Sequence, residues 1–439
     1  MIYNFILENV ILPLGDLALG TYYIKGLKKW RKIQKLSESQ LKDLQKSNLQ
    51  KVLEHCSKNV PYYSHLNIPS DENPYVWLKK FPLLYKSTIK ENINDIIFGD
   101  RSKMVIERSS GSSGIHGEVY LTKEEHSASQ AIQTLWWEWA GYKFGNTIMQ
   151  TGINPNRGFV KSMKDKILCT DYVAAFGISE EQMKDKLYGL QKKPKDHFAG
   201  YASSLYVFAQ VAKRNNIKGV KFKSVFSWGD KLFPHYRKLI EEVFETKVYD
   251  SYGCTEGLMM AAQMDHNSYY TMSPHVYIEL LDKDGNEVKP GELGYVVVTR
   301  LDAFAMPLIR YYLGDLAVQG ERTPNDAYEL GFPLINKIIG RDTDIIRTAS
   351  GKYMVVHSFT GIFEHIPEVK QFRVIQRNLN EIEIEVIPDQ GFSDAVYRKV
   401  EKIIHDALQE PFGINFKVVD FIPSTPSGKP QIIQSFIKE

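Results

Sequence analysis

Apolar residues Leu44, Leu49, Val52 and Leu53 recur at helical spacing within the charged stretch from Leu27 to Lys58, which predicts a mostly helical segment there. Asn59-Val60-Pro61 ends it, because the residue before a proline is pushed out of the helical region. Phe81-Pro82-Leu83-Leu84 then leads into a short helical entry and loop between Lys86 and Phe98. Val119 to Thr122 reads as a strand. Lys123 to Ala140 reads as a helix whose apolar face (Ala128, Ile132, Leu135, Trp136, Trp139) suits packing on a sheet. Helices at Leu205–Arg214 and Tyr236–Phe244 alternate with strands at Phe222–Trp228 and Lys247–Tyr249, the signature of a layered α/β fold. Strands at Val276–Leu281 and Gly294–Thr299, with a turn at Asp282-Lys283-Asp284-Gly285, predict a smaller β-rich subdomain. Beyond Ile339-Gly340-Arg341, strands at Val374-Ile375 and Ile382–Val386 precede an amphipathic helix at Tyr397–Leu408. The expected division is therefore a large region, 1–339, and a compact C-terminal α+β domain, 340–439.

Composition narrows the functional classes. A chain of 439 residues with 43% apolar types can bury large cores, and its formal charge of +3 gives no global reason to bind nucleic acid. Cys56, Cys169 and Cys254 are odd in number and far apart, which fits neither a disulfide framework nor a clustered zinc site and suits a reducing, cytoplasmic compartment. The apolar run Val10–Leu14 is closed by Gly15 and Asp16, far short of the roughly 20 residues a span requires. A packed surface helix or loop is expected there, with no stable membrane span.

Several short segments carry chemistry. Ser109-Ser110-Gly111-Ser112-Ser113-Gly114 suits a phosphate loop, since glycine permits tight turns while serine hydroxyls and backbone N–H groups face phosphate oxygens. Ser251-Tyr252-Gly253-Cys254-Thr255-Glu256 follows a strand, so Thr255 can face a phosphate and Glu256 a magnesium ion, which favours oxygen ligands. Cys254 lacks a nearby histidine pattern and reads as a small packed residue. Ser227-Trp228-Gly229-Asp230 closes another strand, where Gly229 would admit an aromatic ring that a Cβ would block. Asp315 after Tyr311-Tyr312-Leu313-Gly314 can accept two hydrogen bonds from ribose hydroxyls. Gly340-Arg341, with Asp344, and Ser427-Gly428-Lys429 complete the series.

In order and spacing this set resembles the AMP-forming adenylating enzymes, most closely the phenylacetate–CoA ligase branch with its CapK-like capsule-biosynthesis proteins and coenzyme F390 synthetase. The resemblance runs over nearly the whole chain. It implies an acyl-adenylate-forming ligase fold: a large multi-subdomain N-terminal region with a small mobile C-terminal lid. It places Tyr252 and the Gly229-Asp230 turn at adenine, Asp315 at ribose, Arg341 at ribose or phosphate, and Lys429 in the role of the catalytic lysine. Two positions depart from the family pattern. Ile115 and His116 stand where the loop usually continues with lysine and proline, which leaves Lys123 as a candidate compensating cation, and Thr343 stands where the hinge usually carries aspartate or lysine.

The implied reaction takes ATP, Mg²⁺ and a small organic carboxylate, aromatic or hydrophobic, to acyl-AMP and pyrophosphate, then passes the acyl group to a thiol, with coenzyme A expected. Tyr201, Ser203, Trp136 and Gly152 are the acyl-pocket candidates. Other endings stay open: transfer to an amine or hydroxyl, transfer of AMP to a cofactor hydroxyl, or a non-enzymatic nucleotide-binding regulator. No sequence feature separates a monomer from a homodimer.

Overall fold

The computed structural model describes residues 2–108, 118–152, 158–175, 178–264, 268–322, 330–341, 345–350, 352–363, 366–423 and 431–437. The expected phosphate loop Ser109–Gly114 with Ile115 and His116, the hinge residues Thr343 and Asp344, and Lys429 lie outside them. The chain divides into two compact units: Met1–Leu313 with Ala317–Ile338, and Gly314–Leu316 with Ile339–Glu439.

The first unit is organised by one long sheet. A hairpin of β1 (Val105–Arg108) and β2 (Glu118–Leu121) stands apart from it, its strands paired from Val105 opposite Leu121 to Arg108 opposite Glu118. The main sheet contains β3 (Ile148–Gly152), β4 (Thr170–Ala174), β5 (His197–Tyr201), β6 (Ser224–Trp228), β7 (Val248–Cys254), β8 (Leu258–Gln263), β9 (Tyr269–Thr271), β10 (Val276–Leu281), β11 (Leu293–Arg300), β12 (Tyr311–Gln319) and β13 (Leu334–Arg341). Among the described residues its 11 strands run in the order β10-β11-β12-β13-β9-β8-β7-β6-β5-β3-β4. From β4 to β7 the pairs are all parallel, whereas β7–β8, β8–β9, β9–β13 and β10–β11 are antiparallel.

Parallel strands buried on both faces read as continuous apolar runs, with successive side chains entering different cores. Ile148, Ala199 and Phe226 join one cluster with Ile132, Leu135 and Trp136 of the helix Lys123–Trp139 and Leu27 and Trp30 of the helix Tyr23–Ile33. Their neighbours Met149, Phe198 and Val225 join another with Leu205 and Phe208 of the helix Ala202–Arg214 and Ile240 and Phe244 of the helix Pro234–Phe244. The Ile, Leu, Val, Met and Phe side chains among them each contribute about 1.5–3 kcal/mol on burial. The result is an α/β/α sandwich.

Three expectations change. The helical stretch from Leu27 is interrupted, since one helix covers Tyr23–Ile33 and the next, Glu38–Asn59, starts afresh on a Ser37/Gln40 capping box. The β-rich segment after Cys254 runs on from the parallel half within the same sheet, because β8 pairs directly with β7. The N-terminal run does not stop at Gly15 and Asp16. Helical turns continue from Ile2 to Leu19, through a wider i→i+5 turn before Pro13 that accommodates the residue lacking an N–H. Among the described residues this is one helix long and apolar enough to cross a membrane.

In the second unit, β16 (Val369–Asn378) and β17 (Glu381–Pro388) form an antiparallel pair flanked by β18 (Gly413–Val418) and β19 (Ile433–Ser435), both parallel to their neighbours. β14 (Ile345–Arg347) and β15 (Tyr353–Val355) make a separate hairpin. The helix Asp394–Leu408 buries Val396, Val400, Ile404 and Leu408, an i, i+4 stripe.

Candidate active site

In the parallel half, β3 is the first strand made, and its successors lie on either side of it: β4 on one side, β5 to β7 on the other. Such a switch leaves a crevice at the carboxyl ends of the strands, where open α/β sheets bind ligands. The candidates Gly152, Tyr201, Gly229, Asp230 and the segment from Ser251 to Glu256 all stand at or just beyond those ends.

Gly229 is dictated by its neighbour. Its φ is +79°, and a Cβ there would lie 2.6 Å from Cε1 of Tyr201. The aromatic ring that needs the space is thus the protein's own, from the adjacent strand, in register opposite Trp228. Burial pushes the Tyr201 phenol up to about 12, so it stays protonated. Asp230 accepts the Ser203 backbone N–H at 3.2 Å and so caps the helix Ala202–Arg214. The Ser203 hydroxyl is buried without a partner among the described residues.

Gly152 is different. A Cβ on it would fall 1.5 Å from the Tyr172 hydroxyl, so the space beside it is already filled. Trp136 belongs to the core cluster. Its neighbour Trp137 makes the aromatic wall, stacked on Phe226 at 5.1 Å and on Trp228 at 5.9 Å.

β7 runs further than its sequence suggests, to Cys254, so Tyr252 and Gly253 are strand residues rather than loop residues. Ser251 ties β7 to β6 by donating its hydroxyl to Ser227 O at 2.9 Å. The register with β8 slips between Tyr252 and Gly253, a bulge that re-aims the following side chains. The turn after it is fixed from outside. Ser129 donates to Gly257 O at 2.9 Å, and His275 Nε2 lies 3.3 Å from the same oxygen. Asp302 holds His275 at 2.7 Å and Arg300 at 2.9 Å. Burial opposes its ionisation, but the His275 and Arg300 charges outweigh it and hold Asp302 well below the usual carboxylate range.

Glu256 sits on this braced turn with 7% of its surface exposed. Its Oε2 receives the Thr255 hydroxyl at 3.3 Å. Its Oε1 lies 3.4 Å from the Tyr311 hydroxyl and 3.8 Å from Lys86 Nζ. All of these contacts are long, and an enclosed carboxylate ordinarily has short, strong ones. The arrangement leaves lone pairs on both oxygens free for a cation. Lys86 is brought there because Leu84 bridges to Tyr311: Leu84 N–H bonds Arg310 O and Tyr312 N–H bonds Leu84 O, each at 2.9 Å.

Sequence reasoning missed Lys86. The available signal was a lysine at the first position of a helix, Lys86–Glu91, where the helix dipole disfavours a cation. Lys123, the expected substitute cation, instead donates to Leu19 O at 2.7 Å. Asp315 and Arg341 both fall in the second unit, joined by an ion pair of 3.1 Å between Arg341 Nε and Asp315 Oδ1.

Residues 345–435 match the family of the CapK C-terminal domain. Over 461 residues the chain is 23% identical to Protein CapK of Staphylococcus aureus, covering 100% of this chain and 99% of that one. Over 380 residues it is 24% identical to phenylacetate-coenzyme A ligase of Pseudomonas putida, covering 79% and 81%. Among solved structures it is similar to 2-hydroxyisobutyryl-CoA ligase in its postadenylation state, with a TM-score of 0.71 and 16% identity over 92% of this chain and 91% of that one. The chain shares the fold of that ligase. Along its whole length the chain is thus similar to Protein CapK, and over about four fifths of it to phenylacetate-coenzyme A ligase.

Proposed function

We propose that this protein activates an organic carboxylate with ATP and passes the acyl group to a thiol, coenzyme A in the first instance. A substrate carboxylate oxygen attacks the α phosphorus, the bond to the bridging oxygen breaks, and pyrophosphate leaves an acyl-AMP. The thiol sulfur then attacks the acyl carbon, AMP departs, and the thiol proton passes to solvent. The observation that carries this reading is Glu256: an enclosed carboxylate with long contacts, beside the Thr255 hydroxyl and the Lys86 ammonium.

Magnesium fits this donor set as an ion that arrives with the triphosphate. Among the described residues no group of three or more His, Cys, Asp or Glu side chains is placed to hold a metal. Mg²⁺ keeps several waters and commonly takes one or two carboxylates plus phosphate oxygens, so Glu256 would hold it and Thr255 would orient a phosphate. When bound, it would neutralise triphosphate charge. Lys86 takes over the cationic function that Ile115 cannot supply. Tyr252, Gly253, Ser251, Gly229 and Asp230 are assigned to the adenine side, Asp315 and Arg341 to ribose and α phosphate, Ser109–Gly114 to the outer phosphates. Lys429 is assigned to the negative charge that builds up at the α phosphorus.

The substrate is a hydrophobic or aromatic acid, by analogy with the phenylacetate-coenzyme A ligase relative and in keeping with the wall of Trp137, Trp228 and Tyr201. Mass spectrometry of reactions with ATP, magnesium and a panel of carboxylates, with and without coenzyme A, tests the reading. Acyl-AMP followed by acyl-CoA is expected. Acyl-AMP that coenzyme A does not consume moves the acceptor to an amine, a hydroxyl or another thiol. AMP joined directly to a hydroxylated compound, or no product from any acid, overturns the reading.

A further inference from the structure

The helix Ile2–Leu19 is put together the wrong way round for a helix facing water. Its charged side chains point at the protein. Glu8 pairs with Arg31, which also binds Glu138. Asp16 accepts the backbone N–H groups of Tyr23 and Ile24 at 3.1 and 2.8 Å and so caps the following helix. Leu7 lies in the core, with Ile11 and Leu12 packed against it. The outward stripe is Ile2, Phe5, Ile6, Val10, Leu14 and Leu17, with Ile2 78%, Phe5 67%, Leu14 60% and Leu17 81% exposed. Asn9, the polar residue among them, turns its amide back to Phe5 O at 3.0 Å. A patch of this size on a soluble surface marks an interaction site.

Cations stand at its C-terminal end. Lys123 Nζ binds the last carbonyl region of the helix at Leu19 O, and Lys25 Nζ stands 5.7 Å from the ring of Tyr22, itself exposed. The next helix, Tyr23–Ile33, buries Ile24, Leu27, Trp30 and Ile33 and exposes Lys25, Lys28, Lys29 and Lys32. An apolar helix face beside lysines matches an interfacial segment, in which apolar side chains enter the acyl boundary while cations meet anionic head groups. A transmembrane span is a poor fit, because crossing would break the Glu8–Arg31 pair, expose Leu7 and uncap the helix after Asp16.

We propose that this face docks the protein flat on an anionic lipid bilayer. The helix, about 27 Å long by its 18 residues, lies in the plane of the surface. The docking is independent of the reaction proposed above.

The test is flotation of the full-length protein with vesicles of phosphatidylcholine alone or with about one third phosphatidylglycerol. The protein is expected to float with the anionic vesicles, at least about tenfold more tightly than with neutral ones, and to be released largely by high salt. Phe5→Glu with Leu14→Glu and Leu17→Glu should cost at least about tenfold in binding. Lys25→Glu with Lys28→Glu and Lys29→Glu should abolish the preference for the anionic lipid. All of these positions are exposed, so unchanged melting temperatures separate lost docking from lost folding. Equal affinity for both vesicle types, or no flotation with either, overturns the proposal. A dimer in sedimentation velocity that the Phe5/Leu14/Leu17 variant breaks, with no flotation, assigns the face to a second copy instead.

Discussion

Lys86 Nζ and Glu256 Oε1 face each other at 3.8 Å, too far for a tight ion pair and close enough for each to feel the other's charge. The two residues are far apart in the chain and meet because Leu84 joins the end of β12. Glu256→Gln removes the carboxylate at almost constant volume and is expected to cut magnesium-dependent ATP–pyrophosphate exchange strongly. Lys86→Met should lower the same exchange by about 10²-fold, the scale for losing one electrostatic contact to developing charge. Exchange that keeps its parental magnesium dependence in the glutamine variant takes Glu256 out of the metal role.

Gly229→Ala should destabilise the first unit by about 1–3 kcal/mol, the cost of a side chain at positive φ. It should also weaken ATP binding, because Tyr201 has to move. Thermal melting and the KM for ATP measure the two effects. A melting temperature equal to the parent's would mean the strand end relaxes freely.

For Asp315 and Arg341 the informative experiment is a double-mutant cycle on ATP affinity. Asp315→Ala and Arg341→Ala should each weaken binding, and the double variant should be little worse than either, since the 3.1 Å pair acts as one unit. Fully multiplicative losses would show two independent contacts, and an effect restricted to the acyl acceptor would remove both from the nucleotide.

Two buried groups set opposing pH responses. Burial pushes the Asp250 carboxyl up to about 6, against the hydrogen bond Tyr269 donates to it at 2.6 Å. Its folded value exceeds the unfolded one, so its contribution is complete below the unfolded value and lost as pH rises through about 6. Burial pulls His197 down to about 4, so its contribution is complete above its unfolded value and lost as pH falls through that figure. Over the shared window the slopes oppose. Asp250→Asn should leave stability rising with pH and His197→Gln should leave it falling, each by on the order of 2–3 kcal/mol relative to the parent. Denaturant titrations at a series of pH values test this, and parallel curves for all three proteins would refute it.

Lys429→Ala should slow acyl-AMP formation sharply while thiol transfer from supplied acyl-AMP survives. Comparing the two half-reactions isolates the lysine's role, and undiminished adenylation would end it.

Much of this architecture was legible because it rests on periodicity. The helix Lys123–Trp139 and the strands β6 and β10 follow directly from spacing, since both faces of the sheet demand apolar residues. The crevice was only half legible. Thr255 and Glu256 stand in a recognisable motif, but Lys86 reaches them through a single bridge at Leu84, a long-range pairing that no local pattern encodes. Trp136 and Trp137 show the same limit: adjacent on one helix, one enters the core and the other stacks on Trp228, a choice made by the sheet beneath them. The helix Ile2–Leu19 defeated the stop signals at Gly15 and Asp16 because the Asp16 carboxylate caps the next helix rather than ending its own.

β13 is the last strand of the main sheet to leave the ribosome, yet it lies between β12 and β9, with Leu334 opposite Tyr270 and Ile335 opposite Tyr269. Until it is synthesised, the nascent chain holds two partial sheets, each with a raw edge of unpaired amides facing the gap. Any arrest of translation before Leu334 would release a polypeptide with two adhesive edges, the form most prone to aggregate. Closing that gap is the step at which a growing chain becomes safe to let go.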